Sequence, residues 1–228
     1  MELQLIELLK IEPSELDAFL ELGWFRIQQK IFTTQVLNLN GITYPTVWLR
    51  VPLIDFQPGK KFETLSHKKK HFKTEIKKAI YTPEHEALYA AYRKEVSFES
   101  APSLQWLLYG NSTRDVYNTF MINLYDGNKL IGAGFFDLGD TSAAGICSIY
   151  DPEYKKYSLG KYMIYEKIIF CKKEKYKYFY PGYFVPGYPR FDYKLEIGKP
   201  AIEYFDTRQK KWLALFPKYT HALNRLPV

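Results

Sequence analysis

Apolar residues recur along this chain with two periods, which separate predicted strands from predicted helices. Runs of apolar, β-branched and aromatic residues predict strands over 25–36, 46–56, 120–125, 129–137, 145–150 and 176–180. Helical spacing predicts a short helix after the capping sequence Ser14-Glu15-Leu16-Asp17, a second helix after Thr82-Pro83, and a third from Ser158 to Lys173. The second half of the chain therefore has the order β-β-β-α-β.

This order of elements predicts an α+β protein with a mixed, mostly antiparallel sheet flanked by helices, as in acyltransferases of the acetyltransferase superfamily. The pattern breaks around residues 99–102, which makes this segment the best candidate for a linker. We therefore expect a smaller N-terminal α/β portion over residues 1–101 and an acyltransferase-like domain over residues 102–228.

The composition is that of a globular protein. The chain has 228 residues, of which 46% are hydrophobic, so it can bury a substantial core. No apolar stretch approaches the ~20 residues of a membrane helix, and an acid stands at residue 2 where a signal peptide carries positive charge. We expect a soluble, cytoplasmic protein with no membrane contact, in which Cys147 and Cys171 are buried free thiols.

The positive charge is concentrated in one segment. Residues 60–78 contain eight lysines and two glutamates, which supply +6 of the net charge of +7. A local basic patch favours a polyanionic partner, although a solvated lysine-rich helix has the same composition. The lysines expected to contact such a partner are Lys60, Lys61, Lys68, Lys69, Lys70 and Lys73.

A predicted strand end, a loop and a helix N-terminus follow one another at Tyr150-Asp151-Pro152 and Ser158-Leu159-Gly160-Lys161-Tyr162. The first amides of a helix have no intrahelical acceptor, so they can bind a phosphate or a developing oxyanion. Gly160 would let a ligand approach the backbone closely. The alternative is an ordinary packing corner between helix and sheet.

The segment 176–193 contains nine aromatic residues, with Arg190 inside it and Lys194 directly after it. Aromatic and basic residues together are typical of a surface on which the 3′ end of a nucleic acid stacks, although tyrosines also line the rims of cores. His67 and His71 have the i, i+4 spacing of a metal pair but no third ligand nearby, so we expect no metal.

These motifs together resemble the aminoacyl-tRNA-protein transferases, the arginyl and bacterial leucyl enzymes of the N-end rule. The family pattern reads approximately Y-D-P, S-L-G-x-Y, Y-x-G-Y/F and K-M-x-Y-K. Here it corresponds to Tyr150-Asp151-Pro152, Ser158-Leu159-Gly160 with Tyr162, Tyr180-Pro181-Gly182-Tyr183, and Arg190-Phe191-Asp192-Tyr193-Lys194. The resemblance implies an acetyltransferase-like (GNAT) fold and transfer of an aminoacyl group from charged tRNA to the α-amine of a protein that begins with Asp or Glu.

The chemical demands of the implied reaction suggest roles for individual residues. Asp151, Tyr150 and Tyr193 are the candidates for proton transfer. Contacts with the donor or the acceptor are implied for Ser158, Leu159, Gly160, Lys161, Tyr162, Tyr180, Gly182, Tyr183, Arg190 and Lys194. Charged tRNA is itself the donor, so no further cofactor is expected.

The chain departs from the family pattern at several positions. It lacks the cysteine cluster that members carry near residues 37–48, Tyr188 stands at a usual cysteine, and Ala144 stands at a usual serine. These departures leave two alternatives open. One is an N-acetyltransferase that uses acetyl-CoA, against which the glycine-poor loop before Tyr162 argues. The other is a non-catalytic member of the family that binds tRNA or protein.

Overall fold

The computed structural model describes residues 3–39, 41–69, 71–96, 100–197 and 201–215. The strands are β1 (Gln4–Glu7), β2 (Phe25–Ile27), β3 (Lys30–Thr33), β4 (Val36–Leu39), β5 (Ile42–Pro45), β6 (Val47–Pro52), β7 (Lys73–Lys78), β8 (Thr119–Asp126), β9 (Lys129–Leu138), β10 (Ser142–Tyr150), β11 (Tyr178–Phe184), β12 (Glu203–Asp206) and β13 (Lys211–Ala214). The helices are α1 (Pro13–Glu21), α2 (Lys60–Lys68), α3 (Pro83–Glu95), α4 (Leu104–Tyr109), α5 (Leu159–Lys173) and α6 (Tyr193–Ile197), with 3₁₀ turns at Pro152–Tyr157 and Pro189–Phe191.

One eight-stranded sheet organises the molecule, in the order β13-β12-β6-β11-β10-β9-β8-β7. Among its described strand pairs β10 and β11 are parallel, and the others are antiparallel. The predicted fold class, a mixed and mostly antiparallel α+β sheet flanked by helices, is therefore confirmed. The boundary at residue 101 stays a prediction, because β6 and β7 precede it and pair with strands that follow it.

The parallel pair β10 and β11 separates soon after it begins. The two strands pair from Ser142 with Tyr178 to Ala144 with Tyr180. Beyond this point β10 has a register shift against β9 between Gly145 and Cys147. A bulge of this kind bends a strand away from its neighbour. The sheet therefore opens between β10 and β11, and α5, which connects them, begins beside this opening.

The core of the molecule lies where α5 packs on the sheet. Its buried residues recur at helical spacing, and Leu159, Met163, Ile168 and Cys171 are all fully buried. They pack against buried side chains of the central strands, including Ile131, Phe136 and Phe179. Lys167 occupies the same buried face with 1% exposure.

A buried ion pair fastens the small N-terminal sheet, β1-β3-β2, to the large one. Arg26 of β2 donates to Asp137 of β9 at 2.8 Å and to the hydroxyl of Thr119 at 2.7 Å. Both charged side chains are almost completely buried. Removing one partner of such a pair leaves an uncompensated charge and typically costs about 3–5 kcal/mol.

Several predicted elements of the first half have different bounds in the structure. Helix α1 begins at Pro13 after a cap at Glu12, whose N–H donates to Glu15 at 2.8 Å, so the predicted cap at Ser14 is wrong. The strand predicted over 25–36 is interrupted after β2 by a turn in which Gln28 has a φ of 56°. The strand predicted over 46–56 ends at Pro52.

Within the described ranges, no helix is both long enough and apolar enough to span a membrane.

Candidate active site

A cleft of about 370 Å³ lies where β10 and β11 separate. Its walls come from the bulged stretch of β10, the start of β11, the first turns of α5, the turn before α6, and Tyr92 of α3. The lining residues are Tyr92, Gly145, Ile146, Cys147, Ser148, Tyr150, Lys155, Ser158, Gly160, Lys161, Ile164, Lys167, Phe179, Pro181, Arg190, Phe191, Tyr193 and Lys194.

The structure brings together predicted site residues from three separate segments of the chain. They are Tyr150 at the end of β10, Ser158, Gly160 and Lys161 at the start of α5, and Arg190, Tyr193 and Lys194 around α6. In α5 the first intrahelical hydrogen bond runs from the N–H of Tyr162 to the carbonyl of Ser158 at 3.1 Å. The amides before Tyr162 therefore lie at the end of the helix that borders the cleft.

Asp151 is not among the residues that line the cleft. Its carboxylate accepts the N–H of Glu153 at 3.0 Å, which caps the 3₁₀ turn that follows β10. The other carboxylate oxygen lies 2.8 Å from the ammonium of Lys129. The structure therefore assigns Asp151 to the corner between strand and turn, and the prediction that it handles a proton has no geometric support.

Other predicted contact residues lie behind the walls of the cleft. Leu159 and Tyr162 pack in the core under α5. Tyr180 is buried against Phe25 and Trp212, with ring centroids at 6.0 Å and 5.3 Å. These side chains support the cleft and do not border it.

Gly182 and Tyr183 do not line the cleft themselves, but both lie next to Lys194, which does. The Lys194 ammonium donates to the carbonyl of Tyr183 at 2.8 Å and lies over the rings of Tyr183 and Phe191. A Cβ at Gly182, where φ is +86°, would lie 3.3 Å from Nζ of Lys194. Burial, with a smaller contribution from the positive charge of Arg190, lowers the pKa of Lys194 to about 7.

The charge of the cleft has one sign. Its described lining includes five basic side chains, Lys155, Lys161, Lys167, Arg190 and Lys194, and no Asp or Glu. Lys161 does pair with Glu196 at 3.3 Å, outside the lining. Positive groups with low-dielectric walls between them attract anions, since the field is less screened there than in water.

Sequence reasoning missed Lys167, which lies at the floor of the cleft. Its ammonium donates to the carbonyls of Cys147 at 2.9 Å and Phe135 at 3.1 Å, and to the hydroxyl of Ser148 at 3.2 Å. Burial lowers the pKa of Lys167 to about 8. A signal was present in the sequence, because Lys167 follows Leu159 and Met163 at spacings of four on the apolar stripe of the helix.

Sequence reasoning also missed Tyr92 of α3, whose ring meets that of Tyr150 edge to face with centroids 5.3 Å apart. Burial raises the pKa of Tyr92 and of Tyr193 to about 12. Both phenols are therefore protonated at neutral pH. Their hydroxyls can donate hydrogen bonds, which argues against Tyr193 as a proton acceptor.

The lysines of the basic segment have different surroundings. Lys60 begins α2 and is exposed, and Lys73 of β7 is exposed and pairs with Glu75 at 2.7 Å. Lys69 has 1% exposure, with its ammonium 4.6 Å from the centre of the Tyr162 ring, so the prediction that it meets a partner is wrong. The side chains of Lys61 and Lys68, and all of Lys70, lie outside the described residues.

No group of three or more His, Cys, Asp or Glu side chains is arranged to hold a metal ion in the part of the chain that the structure describes. Cys147 and Cys171 are free thiols, of which Cys171 is buried as predicted, whereas Cys147 is only partly buried and lines the cleft. Desolvation raises the pKa of each. The absence of a resident metal stays a prediction.

Comparison with known proteins identifies the family to which this chain is similar. The model of the family "Arginine-tRNA-protein transferase, C terminus" matches residues 84–202, which is just over half of the chain. The aspartate/glutamate leucyltransferase of Leptospira interrogans serovar copenhageni is 30% identical over 210 residues, covering 90% of this chain and 80% of the relative. The arginyl-tRNA--protein transferase 1 of Saccharomyces cerevisiae is 30% identical over 93 residues, covering 41% of this chain and 18% of the relative.

Among solved structures, the C-terminal domain of a putative lysylphosphatidylglycerol synthetase from Agrobacterium fabrum matches with a TM-score of 0.47 and 12% identity. The match covers 67% of this chain and 51% of that one. The match to the Leptospira leucyltransferase spans most of both chains, and the family model falls on the segments that form the cleft. The chain therefore belongs to the family of the arginyl-tRNA-protein transferases and the aspartate/glutamate leucyltransferases.

Proposed function

We propose that this protein transfers an aminoacyl group, of the leucyl or arginyl class, from charged tRNA to the N-terminal α-amine of a protein that begins with Asp or Glu. The observation that carries this proposal is the charge of the cleft, whose described lining has no carboxylate and has four basic side chains besides the buried Lys167, namely Lys155, Lys161, Arg190 and Lys194. An acidic acceptor and the terminal phosphates of a tRNA are both anions. A cleft of this charge binds both, whereas it disfavours a basic acceptor.

The acceptor is assigned to the end of the cleft formed by Arg190 and Lys194. A guanidinium matches the geometry of a carboxylate, and an ammonium beside it adds charge. Lys194 is held in place by the Tyr183 carbonyl, so little side-chain freedom is lost when an acidic side chain binds. These contacts would orient the α-amine of the acceptor toward the opening between β10 and β11.

The donor is assigned to the start of α5. A donor group that approaches Gly160 would meet the backbone amides before Tyr162 and the ammonium of Lys161. Gly160 has no Cβ, which leaves room for this group beside the Tyr150 ring. An aminoacyl ester is already activated, so the protein must chiefly align the amine with the ester carbonyl and stabilise the oxyanion that develops. Holding two reactants in one cleft serves the first requirement.

The basic segment is assigned to the acceptor stem of the tRNA. Helix α2 packs beside α5, with the rings of Phe62 and Tyr165 at 5.2 Å, so its exposed face lies next to the helix that borders the cleft. Exposed lysines such as Lys60 bind phosphates mainly by releasing counterions, without reading sequence.

The proposal is tested with purified protein, tRNA charged with labelled Leu or Arg, and peptides that differ only in the first residue. We expect peptides beginning with Asp or Glu to have a kcat/KM at least ~10-fold above those of the Asn and Gln peptides, a difference of about 1.4 kcal/mol. Arg190→Ala should reduce this preference. Lys156→Ala is the matched control, since Lys156 is exposed and does not line the cleft.

Transfer to Asn and Asp peptides at equal rates would contradict the assignment of the acceptor. Transfer from acetyl-CoA instead of charged tRNA would support an N-acetyltransferase. Binding of charged tRNA without any transfer would support a non-catalytic member of the family.

A further inference from the structure

Lys167 is a buried cation whose partners are all neutral. Its side chain rises from the middle of α5 and has 1% exposure. Its three hydrogen-bond acceptors are two backbone carbonyls and one hydroxyl. Burying an ammonium group among neutral partners is costly, and an apolar side chain of similar length would avoid that cost. Core packing alone therefore does not account for a lysine at this position.

The three acceptors belong to two strands and lie directly after the β10 bulge. The carbonyl of Phe135 belongs to β9, and the carbonyl of Cys147 and the hydroxyl of Ser148 belong to β10. The register between these strands shifts between Gly145 and Cys147. A bulge disrupts the ladder locally and leaves backbone groups in need of other partners. Lys167 supplies donors to two strands at this point.

The surrounding residues leave space for this ammonium. A Cβ at Gly134 of β9 would lie 2.8 Å from Nζ and 2.9 Å from Cε of Lys167, closer than real Cβ contacts. A larger residue at 134 would therefore displace Lys167. Lys167 binds Cys147 and Ser148 of β10, and these two residues belong to the stretch 145–148 that forms one wall of the cleft.

We infer that Lys167 is a positioning residue, which fixes the bulged wall of the cleft and with it the place that the reacting ester takes. The inference rests on the proposed function for the identity of the reaction. A wall that moves by an ångström would misalign the amine and the ester without removing any group that binds them. Loss of Lys167 therefore lowers kcat and leaves KM nearly unchanged.

The test compares Lys167→Met with Lys167→Gln in the whole 228-residue chain. In Lys167→Met we expect the amides of residues 145–148 to exchange hydrogen at least ~10-fold faster than in the wild type, since their wall has lost its fastening. We expect kcat to fall at least ~10-fold with KM for charged tRNA within about 3-fold of the wild-type value. Lys167→Gln keeps an N–H donor and should recover about a third or more of the wild-type kcat.

Lys172→Met is the matched control. Lys172 lies on the same helix and donates to the carbonyl of Phe56 at 2.5 Å, but it does not line the cleft. We expect wild-type exchange at 145–148 and wild-type kcat in this variant.

Three results would overturn the inference. One is a folded Lys167→Met variant with wild-type exchange and kcat. Another is a folded Lys167→Gln variant that is as slow as Lys167→Met. The third is failure of both Lys167 variants to fold, by circular dichroism, while Lys172→Met folds, since the lysine would then serve the fold alone. Hydrogen exchange needs no substrate, so it shows whether Lys167 holds this wall even if the wild type transfers no aminoacyl group, and the kcat values then test its role in the reaction.

Discussion

Lys194 and Arg190 carry the same charge but respond differently to pH. The pKa of Lys194 is lowered to about 7 by burial and by Arg190, whereas a guanidinium stays charged throughout the range in which proteins are stable. If Lys194 binds the acidic acceptor as an ammonium, its contribution is present below pH 7. It is lost as the pH rises through about 7.

We therefore expect the KM for an Asp peptide to increase as the pH rises from about 6 to about 8.5. Lys194→Arg should remove most of this increase. The α-amine of the peptide titrates in the same range, but it does so equally with both enzymes, so the ratio of their KM values isolates Lys194. A constant ratio across this range would contradict the binding role. A Gln peptide is the control, since it offers no carboxylate.

Individual side chains were predictable where a motif and the fold agreed. The motif residues Tyr150, Gly160, Arg190 and Lys194 come together in one cleft. The proton role predicted for Asp151 gains no support from its position, because a carboxylate after a strand can either cap a turn or take a proton, and the sequence does not distinguish the two. Lys167 was missed because its role depends on a bulge in another strand.

At the level of elements, the basic segment is divided between two structures. Its first part is α2, and its last part is β7, the edge strand of the large sheet. Lysines on an edge strand discourage pairing with other chains, so part of this charge has a structural use. The same lysines made the strand hard to predict, because Lys73–Lys78 shows no clear alternation of buried and exposed positions.

Binding of charged tRNA should nevertheless depend on exposed lysines of this segment. We expect Lys60→Ala combined with Lys73→Ala to reduce the slope of log K against log salt by up to about two, one for each lysine that no longer neutralises a phosphate. The slope is measured by fluorescence anisotropy over a series of salt concentrations. The control pair, Lys173→Ala with Lys211→Ala, removes two exposed lysines outside the segment. Equal slopes for the two double variants would show that the segment is only a solvated surface.

The helices and strands of the second half of the chain were easier to predict than those of the first half. The hairpin of β8 and β9 has an Asp-Gly turn, and α5 has a long apolar stripe, so local pattern and tertiary contacts agree. In the first half, the short strands β2 and β3 pair through a turn at Gln28, a residue type that carries no turn signal. Whether such short segments form strands depends on pairing with residues far away in the sequence, and the local pattern gives no information about that pairing.

At the scale of the whole molecule, the large sheet joins the two halves of the chain. Strand β6, from the first half, lies between β11 and β12 and pairs with both. Its residues Trp48, Leu49 and Val51 are buried with at most 3% exposure. Without β6, the strand β11 would lose its neighbour on the side away from β10, and the apolar surfaces that β6 covers would face water.

We therefore expect a fragment of residues 102–228 to lack a cooperative thermal transition, because both the backbone pairing of β11 and the cover of its core depend on the first half. Differential scanning calorimetry measures this directly. A fragment of residues 8–228 is the control, since it loses the exposed edge strand β1 but keeps Leu8, which packs against the core, and it should unfold cooperatively. A cooperative transition in 102–228, together with aminoacyl transfer, would instead establish that fragment as an independent catalytic domain. The first half would then be an accessory to the cleft, and its strands would be dispensable for closing the sheet.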